Sequence, residues 1–188
     1  MVDYLSVIFS VFIINIIPAF MPPTWVVLAF AKIGDPSFDP FLLALFGAVS
    51  STAGRAVLSY YSAFFRRFFT KDMCEHAEYI RRFFDKKDKE LFLGTFVYSL
   101  SPFPSNIVFI ANGLTKVNYK PIFAGFFLGR LISYFVLIFL SHTLFHTISH
   151  YLNNEVLTRY LFELLGVVAA FSILFIDWKK LLGRRKST

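Results

Sequence analysis

A single cysteine, Cys74, occurs in the whole chain, which excludes an internal disulfide and a thiolate metal cluster and leaves no companion thiol for redox exchange. Charge is scarce too. Only 16 % of the 188 residues are Asp, Glu, Lys or Arg against 56 % hydrophobic, a composition from which the surface of a soluble domain of this size cannot be built. Carboxylates are rarer still inside the apolar stretches, where Glu163, near the end of the last one, is the exception. No G-x-S-x-G elbow, H-E-x-x-H pair, P-loop or pair of intramembrane acids is present, so neither an enzyme nor a cofactor is expected. Asp3 stands where a signal peptide carries positive charge and the first apolar run is too long for one, so Met1 is expected to be the mature start.

What is abundant is phenylalanine, with 26 residues, and positive charge, with a net +7. The Lys and Arg residues cluster beside apolar segments, where they report orientation and contact with anionic lipid; nucleic acid is not an expected partner. Charge also divides the chain. Asp3 and Lys32 bracket 28 uncharged residues, 40–65 holds only Arg55, 66–90 is densely charged, 91–115 carries no charge, and 121–141 holds only Arg130. A polar stretch from His142 to Thr158, an apolar segment to Trp178 and a basic tail complete it. Several of these stretches exceed the roughly 20 residues a helix needs to cross about 30 Å of hydrocarbon, so an integral membrane protein is expected.

Two segments are too broken to be ordinary spanning helices. Pro18, Pro22 and Pro23 interrupt the first near its centre, and Pro102 and Pro104 interrupt 91–115. Each remaining half has about 10 to 14 residues and reaches about half-way across a bilayer. Two such halves joined at a Pro-rich tip form a re-entrant hairpin, tolerated at depth where protein or a water-filled cavity satisfies the broken backbone; a Pro-kinked spanning helix is the alternative. Charge favours the hairpins, because cytoplasmic flanks collect Lys and Arg. With Arg66, Arg67, Arg81 and Arg82 inside, a re-entrant 91–115 returns Lys116 and Lys120 to the inside. Residues 121–141 then cross outward, 159–178 cross back, and the basic tail ends inside; only Lys32 and Arg159 fall outside the pattern.

An internal comparison agrees. At an offset of 81 residues Pro23, Thr24, Val26 and Val27 meet Pro104, Ser105, Ile107 and Val108, and Phe38 and Pro40 meet Tyr119 and Pro121. Gly54-Arg55 through Tyr60 also echoes Gly129-Arg130 through Tyr134, in a register this offset does not explain. The expected architecture is therefore an all-α integral membrane protein of two inverted repeats, each a Pro-broken re-entrant hairpin plus a spanning helix (about 4–65 and 91–141). A cytoplasmic amphipathic linker over 66–90, a C-terminal span over 159–178 and a basic tail over 179–188 complete a single membrane domain.

The Pro-Pro-Thr hairpin, the Gly-rich helix from Gly47 to Tyr61, the second Pro-containing hairpin with Ala111-Asn112-Gly113-Leu114, and the Gly-led final repeat helix carry a family resemblance. The chain resembles the DedA family, also called the SNARE-associated or VTT-domain family, over about residues 10 to 178. The resemblance implies two opposed re-entrant hairpins and movement of lipid across membranes, including polyprenyl phosphate in prokaryotic members and phospholipid scrambling in eukaryotic ones. The acids that many relatives carry after the first hairpin and in the following helix look replaced by Trp25 and Arg55, so proton coupling through them is not implied here.

Arg55 lies eleven residues before Arg66 and Arg130 nine after Pro121, which places both about 14 to 17 Å from the cytoplasmic face at helical rise. A charge at that depth needs a partner or a cavity, and a planar guanidinium suits a phosphate bidentately. Each arginine either holds an anion or braces a hairpin through helix-end carbonyls. The expected substrate-binding set is Arg55 and Arg130 with Pro23, Thr24, Pro104, Ser105, Asn106 and Asn15, where half-helix N-termini and hydroxyls add donors. Gly47, Gly54, Gly125 and Gly129 are read as close-packing positions. His142, His146 and His150 share a helical face and are read as amphipathic edge residues rather than metal ligands. The expected function is a transporter, flippase or scramblase of an anionic lipid, polyprenyl phosphate by resemblance or otherwise a phospholipid. A non-transporting membrane scaffold using the Phe-rich linker is the alternative, with a small-molecule exporter behind it. The expected location is the cell membrane, multi-pass, with the basic C-terminus cytoplasmic; a homo-oligomer stays open.

Overall fold

The computed structural model describes residues 3–18, 22–64, 88–101, 105–115 and 119–152, together with 154, 156–158, 160–161 and 164. Its elements are all helical: α1 (Tyr4–Ile16), α2 (Thr24–Gly34), α3 (Pro40–Phe64), α4 (Asp88–Leu100), α5 (Asn106–Thr115) and α6 (Tyr119–Leu152). The chain divides into two compact units, Met1–Leu144 and Phe145–Thr188. Everything that follows concerns the first, apart from the last turns of α6. The amphipathic linker up to residue 87, most of the 159–178 segment and the basic tail lie outside the described residues.

Local chemistry sets the helix boundaries. Asp3 caps α1 by accepting from the Ser6 amide at 2.9 Å, and the Ser6 hydroxyl and amide together hold its carboxyl below the usual carboxylate range. The residue before Pro18 cannot comfortably stay helical, and Ile17 is extended. Asp39 caps α3 by accepting from the Leu42 amide at 2.8 Å, and Pro40 occupies the first helical position, where its missing N–H costs nothing. Beyond Gly129 no Gly or Pro occurs up to Leu152, so α6 runs unbroken through His142, His146 and His150. The expected helix end near residue 141 is therefore corrected: polar composition alone does not stop a helix.

The first two helices, both short, pair into a hairpin. Asn15 near the end of α1 reaches Thr24 at the start of α2 at 3.0 Å, while Tyr4 at the start of α1 sits where α3 begins, its hydroxyl accepting from the Asp39 amide at 2.9 Å. The Tyr4 ring meets Phe38 edge-on at 4.7 Å. The chain thus leaves from and returns to one end. Lys32, buried at the base of this hairpin, donates to the carbonyls of Pro36 and Phe38 at 2.7 Å each. This cation closes a turn, which accounts for its departure from the charge pattern of the other Lys and Arg residues.

Two apolar clusters orient the long helices. One joins Val7 and Val11 of α1, Leu28 of α2, Leu43, Ala44 and Ala48 of early α3, and Tyr134 and Ile138 of α6. The other joins Leu58 of late α3, Leu91 of α4, Phe109 of α5, and Ile122 and Phe126 of early α6. The start of α3 therefore packs beside the far part of α6 and its end beside the start of α6, so the two helices run antiparallel. Both are long and apolar enough to cross a membrane, whereas α1 and α2, at 13 and 11 residues, extend only about 17 to 20 Å. Their outward faces carry Phe41, Val49, Tyr60, Ile132, Phe135 and Phe139, all exposed.

Candidate functional site

Gly54 and Gly129 let the long helices approach the half-length helices closely. A Cβ at Gly54 would lie 2.7 Å from Asn15 Cβ and 2.8 Å from the Phe12 carbonyl; one at Gly129 would lie 2.6 Å from Ser99 Cβ and 2.7 Å from the Phe96 carbonyl. The same contact is made twice, each time against residues three apart on the first helix of a hairpin. By contact Asn15 corresponds to Ser99, although the sequence offset drawn through the hairpin prolines pairs neither them nor the two glycines. The register drifts because the connection from Thr115 to Tyr119 is two residues shorter than that from Gly34 to Pro40, and because the glycine lies fourteen residues beyond the start of α3 but only ten beyond the start of α6.

These contacts deliver the next residue, an arginine, to a helix end. Arg55 Nη1 donates to the Asn15 carbonyl at 3.2 Å, and Arg130 Nη1 donates to the Ser101 carbonyl at 3.3 Å. Carbonyls in the last turn of a helix, or just past it, lack intrahelical partners and carry the negative end of the helix dipole. They supply the compensation a carboxylate would otherwise give. Both arginines are deeply buried, at 7 % and 6 % exposure. Arg130 lies over the rings of Phe126 at 5.3 Å and Tyr134 at 5.7 Å, within cation–π range. Tyr134, the ring under Arg130, belongs to the same apolar cluster as Val11, one turn before the Asn15 that holds Arg55. Arg55 Nε has no hydrogen-bond partner among the described residues.

Of the other residues expected at the site, Asn15 and Thr24 join Arg55. Asn15 is 1 % exposed and its Nδ2 donates to the Val11 carbonyl at 2.8 Å and to Thr24 Oγ1 at 3.0 Å. Pro23 stands at the N-cap of α2 and provides no side-chain cap; its carbonyl accepts from the Val26 amide at 3.0 Å, and the Thr24 and Trp25 amides have no intrahelical acceptor. Ser105 is buried, and its carbonyl accepts from the Val108 amide at 3.1 Å as α5 begins. Asn106 ties the two hairpins together, its Nδ2 donating to the Pro18 carbonyl at 2.7 Å. Pro104 lies outside the described residues.

Residues that the sequence did not single out also line this region. Tyr134 stands four residues after Arg130, and Ser59 four after Arg55, which places each on its arginine's helical face. That spacing was the available signal. Ser59 Oγ is buried with no partner among the described residues, close to the crossing where Gly113 of α5 packs on the Ser59 carbonyl. Tyr98 and Ser101 gave no sequence signal, since only the folding back of α4 brings them in. No described carboxylate enters: Asp3, Asp35, Asp39, Asp88 and Glu90 all stand at helix ends. Among the described residues no three His, Cys, Asp or Glu side chains converge to hold a metal ion. The region is thus a buried set of cations, hydroxyls and an amide beside two helix N-termini, with the chemistry to accept an anion.

No family model, no curated protein and no solved structure matches the chain.

Proposed function

We propose that this protein is a multi-pass membrane protein that carries an anionic lipid across the bilayer, and that Arg55 and Arg130 hold the lipid's phosphate between them. The single observation that carries the reading is the pair of deeply buried arginines, Arg55 and Arg130, each donating to a main-chain carbonyl at or just past the end of a half-length helix. Leaving two guanidinium groups at depth costs several kcal/mol unless something anionic or dipolar answers them. The helix-end carbonyls answer one nitrogen of each guanidinium, Arg55 Nε has no partner among the described residues, and a phosphate would answer it with charge-assisted bidentate bonds.

On this reading the hairpins α1–α2 and α4–α5 are re-entrant and the antiparallel α3 and α6 are the spanning helices of two inverted repeats. The basic segment over 66–90 and the C-terminal tail face the cytoplasm. The similarity to the DedA family supplies the candidate cargo, a polyprenyl phosphate, whose tail stays in the hydrocarbon while its head group crosses.

The test is reconstitution into liposomes carrying a labelled polyprenyl phosphate or phosphatidic acid in one leaflet. Wild type should accelerate transbilayer movement, and Arg55→Gln and Arg130→Gln should each abolish it while retaining a monodisperse, folded protein. Absence of any protein-dependent movement overturns transport and favours the scaffold reading. Loss of folding in both variants, with wild-type movement insensitive to head-group charge, makes the arginines braces only.

A further inference from the structure

The Asn15 side chain sits between two groups of the proposed anion site but is itself 1 % exposed, so it cannot be a contact residue. Its orientation is fixed. The Val11 carbonyl can only accept, so the Asn15 amide must turn its nitrogen that way at 2.8 Å, and the second hydrogen of the same nitrogen is directed at Thr24 Oγ1 at 3.0 Å. Thr24 therefore receives a hydrogen bond on its oxygen and keeps its own proton to give. It has no acceptor for that proton among the described residues. Thr24 is the first residue of α2, whose N-terminus has no side-chain cap, so its hydroxyl stands at the positive end of the helix dipole. The Asn15 main-chain oxygen meanwhile holds Arg55 Nη1. One buried residue thus fixes a cation through its backbone and a hydroxyl through its side chain.

Among the described residues the second hairpin shows no such device. Ser99, the counterpart of Asn15 by its contact with Gly129, also bonds the carbonyl four residues back, its Oγ donating to Thr95 at 2.6 Å. That spends its single proton. A serine has no second donor and is too short to bridge to the start of the following helix. We infer that Asn15 is a positioning residue that forces the Thr24 hydroxyl to act as a donor to the bound anion, and that the first hairpin alone orients a hydroxyl in this way.

This inference rests on the anion-binding reading of Arg55 and Arg130, and its test separates the two. The full chain, purified in a non-ionic detergent, is titrated with dodecyl phosphate by calorimetry. Thr24→Val and Asn15→Ser, the latter copying what the second hairpin already tolerates, should each weaken binding about tenfold, the loss expected for one hydrogen bond to a charged acceptor. The double variant should be no weaker than the worse single one, because Asn15 acts only through Thr24. Thr24→Ser, which keeps the hydroxyl, should restore wild-type affinity. Multiplying losses in the double variant, or equal losses for Thr24→Ser and Thr24→Val, overturns the positioning role. If Arg55→Gln abolishes binding while Asn15→Ser and Thr24→Val leave it unchanged, the inference alone falls. If wild type does not bind the probe at all, the anion site falls and takes the inference with it.

Discussion

Gly54→Ala places a methyl group where the structure has least room and where stability and the site are both at stake. The new carbon would lie 2.7 Å from Asn15 Cβ, 2.8 Å from the Phe12 oxygen and 3.2 Å from the Asn15 carbonyl carbon. Two of these atoms are backbone and the third is fixed by the buried Asn15, so no flexible side-chain tip can give way. Relief requires α1 to move outward by about 1 Å to regain ordinary contact distances near 3.5–4.0 Å. Overpacking of this kind costs about 1–3 kcal/mol, while the alanine recovers about 1 kcal/mol of helix propensity. The net is a loss of about 1 kcal/mol or somewhat more, or a fall in Tm of about 2–4 °C for a chain of this length. Gly94→Ala is the matched control, because a Cβ there meets nothing within 4 Å and only the propensity gain remains, raising Tm by a similar amount. The same outward shift would stretch the Arg55 to Asn15 hydrogen bond, now 3.2 Å, past bonding distance, so anion affinity should fall with stability. Thermal unfolding of the detergent-solubilised variants decides it. A Tm for Gly54→Ala equal to or above that of Gly94→Ala would refute the close-contact argument.

Three further outcomes are expected. In a Cys74→Ser background, Asp3→Cys and Asp35→Cys should be labelled by an impermeant maleimide from the same face of sealed vesicles, because α1 and α2 return the chain to one end; labelling from opposite faces would make the first hairpin a spanning helix. Gly129→Leu should lower folded yield more than Gly47→Ala, since the first collides with the Phe96 backbone whereas the second meets only the tip of Leu28. Asp3 is held below its ordinary value chiefly by the Ser6 hydroxyl, so its cap contributes stability above the unfolded carboxylate pKa of about 3.9 and loses it as pH falls through the lower folded value. Unfolding measured from pH 6 to pH 2 should therefore show a smaller acid-induced loss for Asp3→Asn than for wild type.

The prolines and glycines make much of this arrangement legible in the sequence. A half-helix cannot continue through Pro18 or Pro22, and a glycine immediately before a buried arginine reads naturally as a contact point. What stayed hidden depended on the third dimension. The repeated Gly-Arg pair looks out of register because a fixed offset assumes equal loops and equal placing along the helix, whereas in the second half the loop is two residues shorter and the glycine four residues nearer the helix start. The link from Asn106 to Pro18 joins residues 88 positions apart and has no trace in local pattern. The partners of Arg55 and Arg130 were equally invisible, since a main-chain carbonyl belongs to every residue and only geometry selects the ones at Asn15 and Ser101.

That choice of main-chain partners fixes how the interior responds to acidity. A guanidinium keeps its proton, and an amide oxygen does not acquire one, at any pH a cell meets. A cation paired with an aspartate would see its counter-charge vanish on acidification; the peptide oxygens to which Arg55 and Arg130 donate do not titrate. If the pair holds a phosphate as proposed, these two bonds offer a proton gradient no handle, and the titration of the guest becomes the source of acid sensitivity. A phosphate monoester changes from two negative charges toward one near pH 6, whereas a diester does not. The same fixed pair of charges would then distinguish the two head groups by their titration alone, gripping the first progressively less in acid and the second unchanged.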